Sequence, residues 1–276
     1  MKIGDYNTLR IKRLSTIGLF LEDEHGEEVL LPQRYVEDGM KQGDEITVFV
    51  YRDNAGRPIA TTLRPAAKVG DFAMLRCKQV GPSGAFMDIG LMKDLLVPHA
   101  NQHTEMKPGE AYLTYVYLDR ASQRLVGTTK LNVVLSANPT DLNEGDQVEA
   151  VAWYRDDNGW RVVVNGEYLG MVYHNQLFEE MEVGKSFSAF VNRIREDGKI
   201  DLLIQRPGHG NIDDTAEKLL RALKLNDGFI GLNDNSAPEE IKSQLNMSKK
   251  SFKKAVGRLY KLKQIKLEEN GIKLLK

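Results

Sequence analysis

One cysteine, Cys77, stands in 276 residues. A lone cysteine closes no internal disulfide and offers no cysteine pair for a structural zinc site. Set among strand-forming residues, it is expected to be a small buried hydrophobe. No stretch approaches the roughly 18 consecutive apolar residues of a membrane span. The opening residues, Met1 to Asp5, lack the apolar segment of a secretory leader. These absences point to the cytoplasm and away from a membrane partner. The chain has no GxxxxGK[ST] loop, and no GxGxxG lies between a strand and a helix. His99 and His103 stand four apart without an HExxH pattern, so no metal or other cofactor is implied. Carboxylates occur around one loop (Asp88, Asp94) and in one turn (Glu22, Asp23, Glu24). Charged turn residues ordinarily serve solvation, and the chain is read as non-enzymatic.

An excess of either charge is also missing, because 38 Lys and Arg stand against 39 Asp and Glu, a formal net charge of −1. That balance hides an asymmetry. Residues 247–276 hold ten Lys and Arg against Glu268 and Glu269, a net of +8, and the preceding 246 residues carry −9. A basic end on an acidic body suggests a face for an anionic polymer. Hydrophobic content of 41% with 28% charged residues is that of an ordinary globular chain.

What is present is a pattern written three times. Val29-Leu30-Leu31-Pro32-Gln33, Leu95-Leu96-Val97-Pro98-His99 and Gly170-Met171-Val172-Tyr173-His174 line up. Each is followed by a turn whose glycine is Gly43, Gly109 or Gly184, spaced 66 and 75 residues apart. That period exceeds a solenoid repeat and suits a small complete domain. In the second unit the strands are expected over 72–80, 85–90, 95–98, 111–118 and 125–129. Five short strands with one longer loop after the third fit a closed Greek-key barrel of the OB kind. The first and third units follow the same plan. Asn158-Gly159, Asn165-Gly166 and Asp197-Gly198 supply the tight hairpin turns of the third.

The second unit resembles the S-one RNA-binding domain. The resemblance rests on Gly84-Ala85-Phe86-Met87-Asp88-Ile89-Gly90 followed by Leu96-Val97-Pro98-His99. In that family an aromatic on the second strand and a His or aromatic after the third stack bases on one barrel face. Here the resemblance implies Phe86 and His99 for that role. Trp160 and His174 are the corresponding expectation in the third unit. The first unit keeps Phe20 but has Gln33 at the His position. Lys12, Lys78 and Arg161 are the expected basic neighbours. Stacking suits unpaired strands because every base has a π-face.

Beyond residue 208 the apolar period lengthens to that of helices. Asp214 with Glu217 resembles a capping box, followed by the stripe Ala216, Leu219, Leu220, Leu223. A short strand is expected over 229–232. Ser236 with Glu239 forms a second capping box, and Pro238 suits the first turn. Ser248 caps a third helix with Phe252, Ala255, Val256 and Leu259 inside and Lys250, Lys254, Arg258 and Lys261 outside. A hairpin over 265–274 completes the order of a winged helix, whose third helix is the usual groove reader.

The fold class expected is therefore mainly β with an α/β C-terminal domain. Three OB-like barrels span 1–66 (divergent), 67–140 and 141–208, and a winged helix spans 209–276. That order resembles, across nearly the whole chain, the family called conserved virulence factor B. Supporting runs are Lys93-Asp94-Leu95-Leu96-Val97-Pro98, Tyr115-Val116-Tyr117-Leu118-Asp119 and Arg195-Glu196-Asp197-Gly198-Lys199-Ile200-Asp201. The resemblance implies a bacterial RNA-binding regulator of gene expression. Its partner would be single-stranded RNA, with the ribosome or the transcription machinery as further candidates. The alternative is a DNA-binding transcriptional regulator that uses the winged helix and keeps the barrels for partners.

Overall fold

The structure is a computed structural model that describes residues 1–176, 181–204, 212–268 and 270–275. The 208/209 boundary lies outside the described residues, and the Asp214–Glu217 capping box lies outside the described side chains. Among the described residues no helix is long and apolar enough to cross a membrane.

Three closed five-stranded barrels follow one another. The first contains β1 (Asp5–Ser15), β2 (Gly18–Glu22), β3 (Glu28–Pro32), β4 (Glu45–Arg52) and β5 (Pro58–Thr61). The second contains β6 (Phe72–Gly81), β7 (Gly84–Asp88), β8 (Leu95–Pro98), β9 (Ala111–Leu118) and β10 (Leu125–Thr128). The third contains β11 (Gln147–Arg155), β12 (Gly159–Val164), β13 (Tyr168–Tyr173), β14 (Ser186–Ile194) and β15 (Ile200–Leu203). Each runs in the order first, second, third, fifth, fourth strand and then closes. In the first two barrels the third and fifth strands meet in parallel, at Leu30–Ile59 and Leu96–Val126. A single 3-10 turn follows each third strand, beginning at Gln33, His99 and His174. The turn glycines do the same work in all three. The Gly43, Gly109 and Gly184 amides donate to the carbonyls of Ile11, Cys77 and Ala152, each just before an irregularity in the first strand. Cys77 is 1% exposed, a core residue as expected, and burial pushes its thiol pKa up.

Packing groups the chain into two compact units. One comprises Met1–Asp141, Glu149–Phe187 and Arg195–Ile200; the other comprises Leu142–Val148, Ser188–Ile194 and Asp201–Lys276. Within the first unit the first two barrels share a core. Phe49 and Tyr51 of the first barrel join Ala67, Leu75, Ile89 and Leu91 in one buried cluster. Small barrels bury modest cores alone, and pooling them adds apolar burial.

The second unit holds the winged-helix elements: α1 (Ile212–Leu225), β16 (Phe229–Ile230), α2 (Pro238–Leu245), α3 (Lys249–Lys261), β17 (Ile265–Glu268) and β18 (Gly271–Leu274). Their sheet order is β16-β18-β17. The Ser248 hydroxyl accepts from the Ser251 amide, the expected cap of α3. Phe252, Ala255, Val256 and Leu259 are all buried. The cap of α2 lies one residue later than the sequence suggests. Ala237 is the N-cap, and the Glu240 carboxylate accepts from its amide at 3.2 Å. Ser236 instead accepts from the Asn233 amide at 3.0 Å, which ends the preceding loop.

Candidate nucleic-acid interface

Three glycines set the register of the candidate faces. Gly18, Gly84 and Gly159 open the second strand of their barrels with φ of 141°, 140° and 157°. A Cβ there would lie 2.0, 2.2 and 2.1 Å from the carbonyl oxygens of Leu31, Val97 and Val172. No side chain fits, and glycine also tolerates this backbone. The residue after each glycine turns inward: Leu19, Ala85 and Trp160 are 3%, 0% and 7% exposed. The next residue turns outward: Phe20, Phe86 and Arg161 are all half-buried.

This corrects the placement of Trp160. It corresponds to Ala85, not Phe86, and its indole is enclosed in the barrel. Strand side chains alternate faces, so matching aromatic to aromatic instead of glycine to glycine slips the register by one and reverses the face. Arg161 occupies the position of Phe86. Its Nε donates to Asp156 at 2.8 Å, so it is not a free cation.

Phe86 lies beside Gly81, where an added Cβ would sit 3.5 Å from its Cε2. His99 reaches the same place, with Nε2 3.1 Å from the Gly81 carbonyl oxygen. His174 Nε2 is 3.2 Å from the Asp156 carbonyl oxygen. Gly81 and Asp156 each precede their strand glycine by three residues. A carbonyl can only accept, so Nε2 carries the proton in both rings. Both histidines thus pin the 3-10 turn after the third strand to the hairpin joining the first two. In the first barrel the Arg13 guanidinium lies 3.5 Å above the Phe20 ring. An exposed cation–π contact contributes about 0.5–1 kcal/mol, and Arg13 is also held by Glu28 at 3.2 Å.

The expected basic neighbours are already neutralised. Lys12 is the extra residue of the bulge in β1, between Ile11 and Arg13. It lies 2.9 Å from Glu22 and 2.8 Å from Glu28. Lys78 is the extra residue in β6 and lies 2.8 Å from Asp94 and 3.6 Å from Asp88. Glu22 and Asp88 follow their strand glycine by four residues, while Glu28 and Asp94 precede Pro32 and Pro98 by four. The hydrogen bonds to Glu28 and to Asp94 raise the two lysine pKa values. The loop carboxylates of the second barrel thus serve an ion-pair network. Lys78 does not stand as an isolated cation.

The third barrel replaces this network. At the same three positions stand Trp153, Val163 and Leu169. They pack with Leu113, Leu131, Phe72 and Tyr115 of the second barrel. The His103 ring lies 5.0 Å from Trp153 and 4.3 Å from Tyr154. Burial, and secondarily Lys130, lowers its pKa. Gly184 completes the contact, since a Cβ there would overlap Met74 at 2.2 Å. The wall that is polar in two barrels is a docking surface in the third. Sequence reasoning missed this role of Trp153, Tyr154 and His103; the signal was an apolar residue where Lys12 and Lys78 stand.

In the winged helix, Lys250, Lys254 and Lys261 are exposed, and none has a carboxylate within 4.0 Å among the described residues. Lys253 pairs with Asp234 at 3.7 Å. Arg258 departs from the expectation. It is half-buried with its Nε enclosed. Lys266 and Lys273 are exposed and directly opposed across the β17–β18 hairpin. Like charges in that arrangement disfavour the pair, and an anion relieves the repulsion.

Residues 3–63 match the S1 domain family model, and residues 217–274 match the CvfB-like winged helix domain. The S1 match therefore falls on the first barrel, while the second carries the motif quoted above. The chain is 27% identical over 283 residues to conserved virulence factor B of Staphylococcus epidermidis, covering 99% of this chain and 95% of the relative. It is 27% identical over 281 residues to the Staphylococcus saprophyticus protein of that name, covering 99% and 94%. A crystal structure of a multidomain protein with nucleic acid binding domains from Streptococcus pneumoniae aligns over 99% of this chain and 98% of that one. The identity is 24% and the TM-score 0.43. The chain thus matches an S1 domain over residues 3–63 and a CvfB-like winged helix domain over 217–274, and resembles the conserved virulence factor B proteins along 99% of its length.

Proposed function

We propose that this chain is a non-catalytic binder of single-stranded RNA that regulates gene expression after transcription. The observation that carries the reading is the shared outward position of Phe20 and Phe86, two half-buried rings at one register position of two barrels. Stacking on such rings needs unpaired bases, which a duplex withholds. The first two barrels then supply stacking, and the winged helix supplies positive charge through Lys250, Lys254, Lys261, Lys266 and Lys273. Phosphate contacts of that kind position a strand without reading its sequence.

A second reading rests on α3, whose Lys250, Lys254 and Lys261 have no carboxylate partner within 4.0 Å among the described residues. In a winged helix that surface suits the major groove of duplex DNA. Titrating a labelled single-stranded RNA and a duplex DNA of equal length at matched salt decides between the two. Tighter binding of the RNA is expected. Equal or tighter binding of the duplex replaces the proposal with the transcription-factor reading.

A further inference from the structure

The first barrel carries a recess that Phe20 does not line. It is a hollow of about 590 Å³ lined by residues that include Tyr6, Phe49, Thr47, Thr61, Arg64 and Glu37. That volume lies within the usual range for small-ligand sites, about 300–1,000 Å³. Tyr6 is 38% exposed and stands edge-on to the buried Phe49, with ring centroids 5.4 Å apart. Arg64 is exposed and has no carboxylate within 4.0 Å among the described residues.

The second barrel shows what this wall does when it is closed. Tyr6 pairs with Phe49 as Phe72 pairs with Tyr115, so the aromatic pair is retained. Around it the chemistry changes. Leu113 stands where the first barrel has Thr47, and Met74 stands where it has Thr8. Leu131, five residues beyond the parallel bridge, corresponds to Arg64. The apolar version takes a flat aromatic, the Trp153 indole, into the cluster of Leu113, Leu131, Phe72 and Tyr115. The first barrel keeps the rings, exchanges the aliphatic groups for hydroxyls and a guanidinium, and leaves the wall open.

We propose that this recess is a nucleotide site, in which a base stacks on Tyr6 and its phosphate meets Arg64. A planar ring beside a planar cation matches the two halves of a nucleotide. Thr47 offers a hydroxyl, and Glu37 accepts from an exocyclic amino group. The nucleotide is either free or one residue of an RNA strand. The second case rests on the RNA-binding reading above; the first does not.

The test uses the full chain with AMP and with an oligoadenylate of about six residues, each titrated by calorimetry. Tyr6→Leu and Arg64→Gln should each weaken binding by about fivefold or more, while Tyr6→Phe stays within about twofold of the parent. A matching melting temperature shows that the barrel is intact. Loss with both probes assigns the site to a nucleotide from either source; loss with the oligomer alone restricts it to RNA. If Phe86→Leu weakens the oligomer and Tyr6→Leu and Arg64→Gln do not, the recess is no nucleotide site and the RNA reading stands. If AMP binds in a Tyr6-dependent way and the oligomer does not bind, the RNA reading fails and the recess stands. If neither probe binds, both fall. Self-association that Tyr6→Leu abolishes, without nucleotide binding, would identify the recess as a contact between copies of the chain.

Discussion

Lys12 and Trp153 occupy the same place in two copies of one fold: each is the extra residue of a bulge in its barrel's first strand. A bulge re-aims a side chain out of the regular alternation. In the first barrel it presents an ammonium between two carboxylates. In the third it presents an indole that is 5% exposed and packed on the second barrel. One position thus serves as polar wall or as docking knob, depending on the residue placed there.

Trp153→Ala should therefore be costly. Truncating a buried aromatic removes about 3–5 kcal/mol where the site cannot collapse. Thermal unfolding should show a large drop for Trp153→Ala and little change for Lys12→Ala, whose side chain is solvated. A Trp153→Ala protein that melts like the parent would mean that the third barrel does not depend on this contact.

Phe86 and Trp160 should separate binding from stability. Phe86→Leu is expected to weaken single-stranded RNA binding by about 1–3 kcal/mol with a small change in melting temperature. Trp160→Ala should lower the melting temperature through lost core packing, about 3–5 kcal/mol. Paired melts and titrations check both. A large melting loss for Phe86→Leu with unaltered RNA affinity would return Phe86 to a purely structural role.

The winged helix should account for part of the salt dependence. Log affinity for a single strand falls with log salt at a slope of about 0.7 per phosphate neutralised. Replacing Lys250, Lys254 and Lys261 with Ala should flatten that slope by about 1–2 units if two or three of them meet phosphate. Arg258 is omitted because its guanidinium is partly enclosed. An unchanged slope would leave the barrels as the RNA site.

Acid should loosen the contact around His103. Burial against Trp153 and Tyr154, helped by Lys130, lowers its pKa in the folded chain. The unfolded chain binds the proton first, near the ordinary histidine value of about 6.5. Stability from this group is then complete above that pH and declines as pH falls toward the lowered folded value. Melting temperatures over this range should fall more steeply for the parent than for His103→Gln. Parallel curves would show that the contact does not titrate.

Much of the architecture was legible in the sequence because its signals are local. Period-two strands, the turn glycines Gly43, Gly109 and Gly184, and the Ser248 cap all act within a few residues. Repetition of that local pattern at domain length was enough to indicate three barrels before a winged helix. The face each side chain occupies was not decided locally. The Trp160 register depends on where Gly159 meets Val172 across the sheet, and Asn158-Gly159-Trp160-Arg161 held that answer only once glycine was aligned with glycine. The state of Lys12 and Lys78 depends on carboxylates brought to the bulge by two other strands. The conversion of the third barrel's wall into a docking surface depends on a neighbour some 80 residues earlier in the chain, at Phe72. Hydrogen-bonded turns and alternation are written in adjacent residues, so the sequence alone determined the barrels and the winged helix. Burial and charge pairing arise only when distant strands meet, so the tertiary structure alone decided which aromatics face outward and which lysines are paired.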